Sequence, residues 1–262
     1  MNSRMKNRFW ITLLVVALTF ALTGCGKDNE TVKLTVSAAA SLTDALTEIQ
    51  KQYEASHDRV KIKFNFAASG TLQQQIEQGA PVDLFISAAA KNMNALVDKQ
   101  LIAEDEHTNL LSNSLVVVTP VDSKITIANM ADLSQDGVKQ IAIGIPSSVP
   151  AGNYAQQALT KAGLWEAMQS KTVQAKDVRQ VLQDVETGNV DAGFVYKTDA
   201  LTSKKSNIAF SVDPASYDSI VYPIGIVKAT KYSDEAKDLY AYLQSKEAMD
   251  IFLKYGFELP TK

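Results

Sequence analysis

Hydrophobic and polar side chains alternate at period two through Val32-Lys33-Leu34-Thr35-Val36, as a half-buried strand requires. From Ser41 the spacing changes to three and four, with Leu42, Ala45, Leu46, Ile49 and Tyr53 on one face, which predicts a helix. Val60 to Phe66 is again strand-like, Leu72 and Ile76 mark a second helix, and Asp83-Leu84-Phe85-Ile86-Ser87 reads as a short buried strand. It leads into a third helix carrying Leu96 and Val97. Three βα units in succession predict a mostly parallel sheet with helices on both faces.

A second series begins with the apolar run Leu115 to Thr119. Ile141 to Ile145 reads as a strand, followed by PSSVPAG at 146–152 and a helix carrying Tyr154, Ala155, Ala158, Leu159 and Ala162. Another helix begins after Asp177, with Val178, Val181, Leu182 and Val185 as its apolar stripe. Gly188 and Asn189 end it, and Ala192 to Tyr196 is a strand. Val221 to Val227 and one long helix from about Ser233 to Tyr255 close the chain. No flexible linker marks the boundary near Leu111. Two α/β lobes joined by extended crossing strands are therefore expected, with 32–111 and 221–262 in the first lobe and 112–220 in the second.

The first residues change the picture of where the protein works. Arg4, Lys6 and Arg8 precede an apolar run from Phe9 to Leu22, about 14 residues where a spanning helix needs about 20, so residues 1–24 read as a secretory leader that is cut away. Leu22-Thr23-Gly24-Cys25 resembles the lipobox of bacterial lipoproteins, which implies cleavage before Cys25 and lipid on it. Residues 25–31 then form a polar tether, and the chain is expected to sit lipid-anchored on the extracytoplasmic face of the cell membrane. Cys25 is the only cysteine, so the mature chain has neither an internal disulfide nor a thiolate metal cluster.

Losing the leader removes three of the 26 basic residues and none of the 29 acidic ones, leaving a net charge of −6. An acidic chain with no basic stripe is a poor candidate for binding nucleic acid, and none is expected as a partner. About 237 residues remain, enough for one large domain or two ordinary ones.

Candidate chemistry lies at the strand-to-helix junctions, because ligands of open α/β sheets bind outside the carboxyl ends of the strands. Ser41 and Ser69 stand in N-cap-like positions, where a serine alone is explained by capping at about 1 kcal/mol. Around them, however, Ala38, Ala39, Ala40, Ala67, Ala68 and Gly70 carry almost no bulk, so a ligand can approach the backbone amides. Helix N-termini expose free N–H groups and partial positive charge, which suits an anion. Ala151 and Gly152 offer amides at a third junction, Val178 at a fourth beside the capping Asp177, and Tyr196 a phenol at the end of its strand. Arg179 falls off the apolar stripe and reads as a solvated surface arginine.

These segments together are similar to the periplasmic molybdate-binding proteins that serve ABC transporters. The resemblance rests on AAASLTDAL at 38–46, FAASGTL at 66–72, GAPVDLFISA at 79–88, NSLVVV at 113–118, VPAGNYA at 149–155, DVRQVL at 177–182 and IFLKYGF at 251–257. It implies a type II periplasmic binding protein fold, two α/β lobes with mainly parallel sheets around a ligand cleft. It implies that one oxyanion is held by Ser41, Ser69, Ala151, Val178 and Tyr196. Molybdenum then enters only as bound molybdate, with no direct protein–metal ligand and no cofactor, and tungstate binds comparably. The implied partner is an ABC permease, and the chain is expected to be a monomer. Ala68 and Gly70 depart from the pattern, since relatives often carry further hydroxyls around the second serine.

A site built of neutral donors is physically adequate. Hydrogen bonds to charged groups contribute about 1.5–3 kcal/mol each, so five or more give roughly 8–15 kcal/mol before association costs. Such a site favours a fully deprotonated dianion, because hydrogen phosphate needs an acceptor for its proton. Another oxyanion such as sulfate, or a small organic anion, is the alternative ligand. An enzyme is not expected: His57 in SHDR and His107 in EDEHTN read as solvated residues away from every junction, and no GxSxG, P-loop or HExxH pattern occurs.

Overall fold

The computed structural model describes residues 31–260, so the leader, Cys25 and most of the tether lie outside the described residues. Strands β1 (Val32–Ala39), β2 (Val60–Ala67), β3 (Leu84–Ile86), β4 (Ile102–Ser112) and β10 (Val221–Val227) form one sheet in the order β2-β1-β3-β10-β4. Strands β5 (Leu115–Pro120), β6 (Ile141–Gly144), β7 (Thr172–Ala175), β8 (Ala192–Tyr196) and β9 (Ser206–Ser211) form the other, in the order β7-β6-β8-β5-β9. The expected two-lobed α/β architecture is the one observed. Both sheets are mixed, where mainly parallel ones were expected, because the crossing strands β5 and β10 enter them in the opposite direction. Strand β1 runs parallel to β2 and β3, and β6 parallel to β7 and β8, whereas β10 and β5 are antiparallel to both their neighbours. The antiparallel halves surround the two places where the chain passes between sheets.

The helices are α1 (Thr43–Ser56), α2 (Ser69–Glu77), α3 (Ala90–Asp98), α4 (Pro150–Lys161), α5 (Trp165–Met168), α6 (Val178–Glu186), α7 (Lys197–Thr202), α8 (Ser233–Leu243) and α9 (Lys246–Lys254). The stripes behave as their spacing dictates: Ala45, Leu46, Ile49 and Tyr53 of α1 are buried, as are Val178, Val181, Leu182 and Val185 of α6. One core cluster runs through both lobes. A second, smaller one fills the space under α2 and α3 with Leu72, Ile76, Val82, Phe85, Met93, Leu96, Ile102 and Val227. No helix among the described residues is long and apolar enough to cross a membrane.

Three details differ from expectation. The single long helix at the C-terminal end is two, because Ser245 leaves the helical path and caps α9, its Oγ accepting from the Ala248 N–H at 3.3 Å. Strands β4, β7 and β9 do not stand out in the hydrophobic pattern; all three are sheet edges, where side chains face water. The histidines are half-buried rather than solvated. His57 stacks on Tyr53 with centroids 3.9 Å apart and places Nε2 3.2 Å from Asp238, and His107 lies within β4.

Candidate functional site

Six parallel strands aim their carboxyl ends at one cavity. It is lined by Ala39, Ala40 and Ser41 after β1, Ala67, Ala68 and Ser69 after β2, and Ala88 after β3. From the other lobe come Val149, Pro150 and Ala151 after β6, Asp177 and Val178 after β7, and Tyr196 at the end of β8. All five of Ser41, Ser69, Ala151, Val178 and Tyr196 are therefore brought together. Among the described residues no lysine, arginine or histidine lines the cavity. The space between these residues is about 210 Å³.

Neither serine caps its helix, which corrects the simplest expectation for both. Ser41 lies inside a 3₁₀ turn, Ala40–Leu42, that precedes α1, and Ser69 is the first residue of α2, whose N-cap is Ala68. Their hydroxyls are engaged elsewhere. Ser69 Oγ accepts from the Ala88 N–H at 2.9 Å, which leaves its own proton free to donate. Ser41 Oγ lies 2.9 Å from Tyr222 Oη. The Asn113 side-chain N–H donates to Tyr222 Oη at 3.2 Å, and its orientation is fixed because Asn113 Oδ1 accepts from the Ser114 N–H at 2.9 Å. Either hydroxyl of the Ser41–Tyr222 pair can donate to the other, and the pair ties the cavity residue Ser41 to Asn113. Asn113 and Tyr222 are not legible as site residues in the sequence: Asn113 lies in NSLVVV at 113–118 and Tyr222 in the strand expected from Val221 to Val227.

The amides are prepared by the helix starts. In α4, Pro150 supplies no N–H and Asn153 is the first to bond back, to the Val149 carbonyl at 3.1 Å, so the amides of Ala151 and Gly152 have no acceptor within the helix. Gly152 lets this turn sit on the strand end, since a Cβ there would lie 1.9 Å from the Gly144 carbonyl oxygen. In α6, Asp177 caps as expected, Oδ1 accepting from the Gln180 N–H at 2.9 Å, and the Val178 amide is left free within its helix. Tyr196 is fully buried, and its Oη has no hydrogen-bond partner. An unpaired buried hydroxyl costs on the order of 1–3 kcal/mol, and this one lies at the wall of the cavity. Burial pushes the phenols of Tyr196 and Tyr222 well above their ordinary range, so both remain neutral O–H donors.

The lobes touch directly beside the cavity. The Gly70 N–H donates to the Ser148 carbonyl at 2.9 Å, and Tyr154 Oη donates to the Ala88 carbonyl at 3.4 Å. Arg179 is not the solvated arginine its place on the helix suggested: Nε lies 2.8 Å from the buried Asp199 carboxylate of its own lobe, and Nη2 pairs with Asp44 of the other. Burial outweighs the opposing pull of Arg179 on Asp199, so its pKa rises to about 6. Among the described residues no three His, Cys, Asp or Glu side chains gather as a protein-held metal would need.

Two lobes closing on a small donor-lined cavity define a solute receptor. The chain belongs to the bacterial extracellular solute-binding proteins, whose family pattern it matches over residues 34–258, and which are binding proteins rather than enzymes. Within that family it is 49% identical, over 94% of this chain and 97% of the relative, to YvgL of Bacillus subtilis (strain 168), provisionally named an ABC transporter substrate-binding lipoprotein. It is 39% identical, over 96% of this chain and 99% of the relative, to the molybdate-binding protein ModA of Escherichia coli (strain K12). The solved substrate-binding domain of a provisionally assigned molybdenum ABC transporter from Clostridium difficile superposes with a TM-score of 0.68 at 42% identity, covering 88% of this chain and 100% of that one.

Proposed function

We propose that the protein captures molybdate outside the cytoplasm and delivers it to an ABC importer, with tungstate bound comparably. The observation that carries this reading is the cavity itself: Ser41, Ser69, Ala151, Val178 and Tyr196 offer neutral donors from both lobes, and among the described residues no cationic side chain joins them. Such a site suits a compact dianion without a proton of its own. The choice of molybdate among such ions is supported by the ligand for which the Escherichia coli relative is named.

Donors from two lobes converge on one anion only when the cleft is shut, so the ion stabilises the closed form by its differential affinity for it. In this reading 32–111 with 221–262 moves against 112–220, and the permease reads the closed shape of a monomeric receptor. The basic-apolar leader and Leu22-Thr23-Gly24-Cys25 support a lipid anchor on Cys25, as does the lipoprotein designation of the Bacillus subtilis relative.

Calorimetric titration of residues 26–262 with molybdate, repeated in excess sulfate and phosphate, tests the proposal. One-to-one, submicromolar binding that survives both competitors is expected. Loss of binding in sulfate would make the protein a general oxyanion receptor, and no heat with any oxyanion would overturn the ligand class.

A further inference from the structure

We infer that Arg179 and Asp44 form a latch between the lobes that slows release of the bound anion, making Arg179 a positioning residue rather than a ligand. The inference rests on the solute-receptor reading, since a latch matters only where the lobes part. Arg179 stands in the first turn of α6, next to Val178, yet its side chain does not line the cavity. It is directed instead to three partners. Nε lies 2.8 Å from Asp199 Oδ1, Nη1 donates to Thr202 Oγ1 at 3.3 Å, and Nη2 donates to Asp44 Oδ2.

The first two partners lie on α7, in the same lobe as Arg179, and fix the guanidinium to it. The third lies on α1 of the opposite lobe, in the turn just beyond Ser41. The guanidinium is therefore held like a bolt in the second lobe, with one free fork facing the first. Asp199 is fully buried, so the Arg179 charge that compensates it cannot leave without stranding a carboxylate. Asp44 is the weaker half. Its side chain is 42% exposed, and its carboxylate makes no other side-chain contact among the described hydrogen bonds and ion pairs. Opening the cleft can hand Asp44 to water at small cost while Arg179 stays in place. Among the described residues the other ion pair linking the two lobes is Lys197 with Glu258, at 3.5 Å. Glu258 is bridged to Ser112, where the chain crosses between sheets, so that pair sits at the crossing.

A second role for Arg179, attraction of the dianion by its charge alone, makes the opposite forecast for Asp44. Removing a negative charge near a dianion site strengthens binding if only the field matters. It weakens binding if the contact holds the lobes together. Asp44→Asn separates the two without disturbing Arg179 and Asp199, whereas Arg179→Ala risks the fold of the second lobe.

Asp44→Asn and wild type, both as residues 26–262, are to be compared by stopped-flow release of molybdate and by calorimetry. The latch requires faster release and a dissociation constant raised at least about threefold, with association nearly unchanged, and near-full recovery in Asp44→Glu. Equal or tighter binding by Asp44→Asn overturns it. A second readout does not depend on the identity of the anion. The segment from residue 26 holds no cysteine, so dyes on Gln52→Cys and Ser170→Cys, exposed positions on opposite lobes, report inter-lobe distance without ligand. Asp44→Asn should lengthen that distance distribution at unchanged unfolding temperature, and an unaltered distribution overturns the latch. Failure of the wild type to bind molybdate would sink the functional reading alone, because the distance comparison still decides the latch.

Discussion

Replacing Gly70 with alanine adds one methyl group where backbone of one lobe meets backbone of the other. A Cβ at this position would stand 2.7 Å from the Ser148 carbonyl oxygen, 2.9 Å from its Cα and 3.1 Å from its carbonyl carbon. These are main-chain atoms and cannot swing aside, so the lobes must back away. Overpacking of this kind costs about 1–3 kcal/mol. The retreat also stretches the 2.9 Å bond from the Gly70 N–H to the Ser148 carbonyl, which contributes about 0.5–1.5 kcal/mol. At roughly 1.4 kcal/mol per factor of ten, the shut form loses on the order of tenfold to a thousandfold in population, and anion affinity falls with it. Folding responds the other way. Gly70 is the second residue of α2, where alanine is the better helix former by up to about 1 kcal/mol. Molybdate affinity by calorimetry and unfolding temperature by scanning fluorimetry should therefore move apart, affinity down and stability level or up. Binding within about twofold of wild type would refute the claim that this backbone contact belongs to the ligand-holding arrangement.

The hydroxyls give the next tests. Ser41→Ala and Ser69→Ala should each weaken molybdate binding about tenfold to a hundredfold, as loss of one hydrogen bond to a charged ligand implies, with the folded circular dichroism spectrum retained. Unchanged affinity with lost folding would make them structural. Tyr196→Phe should weaken binding similarly in titrations while the ligand-free protein unfolds at the same or a higher temperature, because the variant removes a buried hydroxyl that has no partner. Asp199 holds its proton more tightly when folded, its pKa rising from 3.8 to about 6, so its contribution to stability is greatest below about pH 4 and is lost as pH rises through about 6. Thermal unfolding across that window should show wild type losing ground relative to Asp199→Asn and then running parallel above it; a constant offset throughout would contradict the shift.

Much of the fold was legible because the buried strands and helix stripes carry strong periods. Leu115 to Val118 is buried along its whole length, and the stripe of α6 repeats without a break. The edge strands were not legible. Strand β4 passes through Ala103 to Asn109 with charged and polar side chains, and it is held in the sheet by its backbone ladder to β10 rather than by an apolar face. The five cavity residues could be placed at strand ends from the sequence, but their convergence depends on two sheets meeting, which no local pattern encodes. Tyr222 reaches Ser41 across 181 positions, and Arg179 reaches Asp44 across 135. Pairings of that range leave no trace in spacing, which is why Arg179 read as a surface residue.

In the proposed function, neutral donors from both lobes, and no cation, hold one tetrahedral oxyanion in this cavity. A crystal structure of residues 26–262 grown with molybdate, with the molybdenum located by its anomalous scattering, tests it most directly. A single strong peak is expected among the strand ends, with the hydroxyls of Ser41, Ser69 and Tyr196 and the amides of Ala151 and Val178 about 2.7–3.1 Å from the ion's oxygens. A peak beside Arg179 or a surface lysine, or a cavity without molybdenum while the anion binds elsewhere, would contradict it.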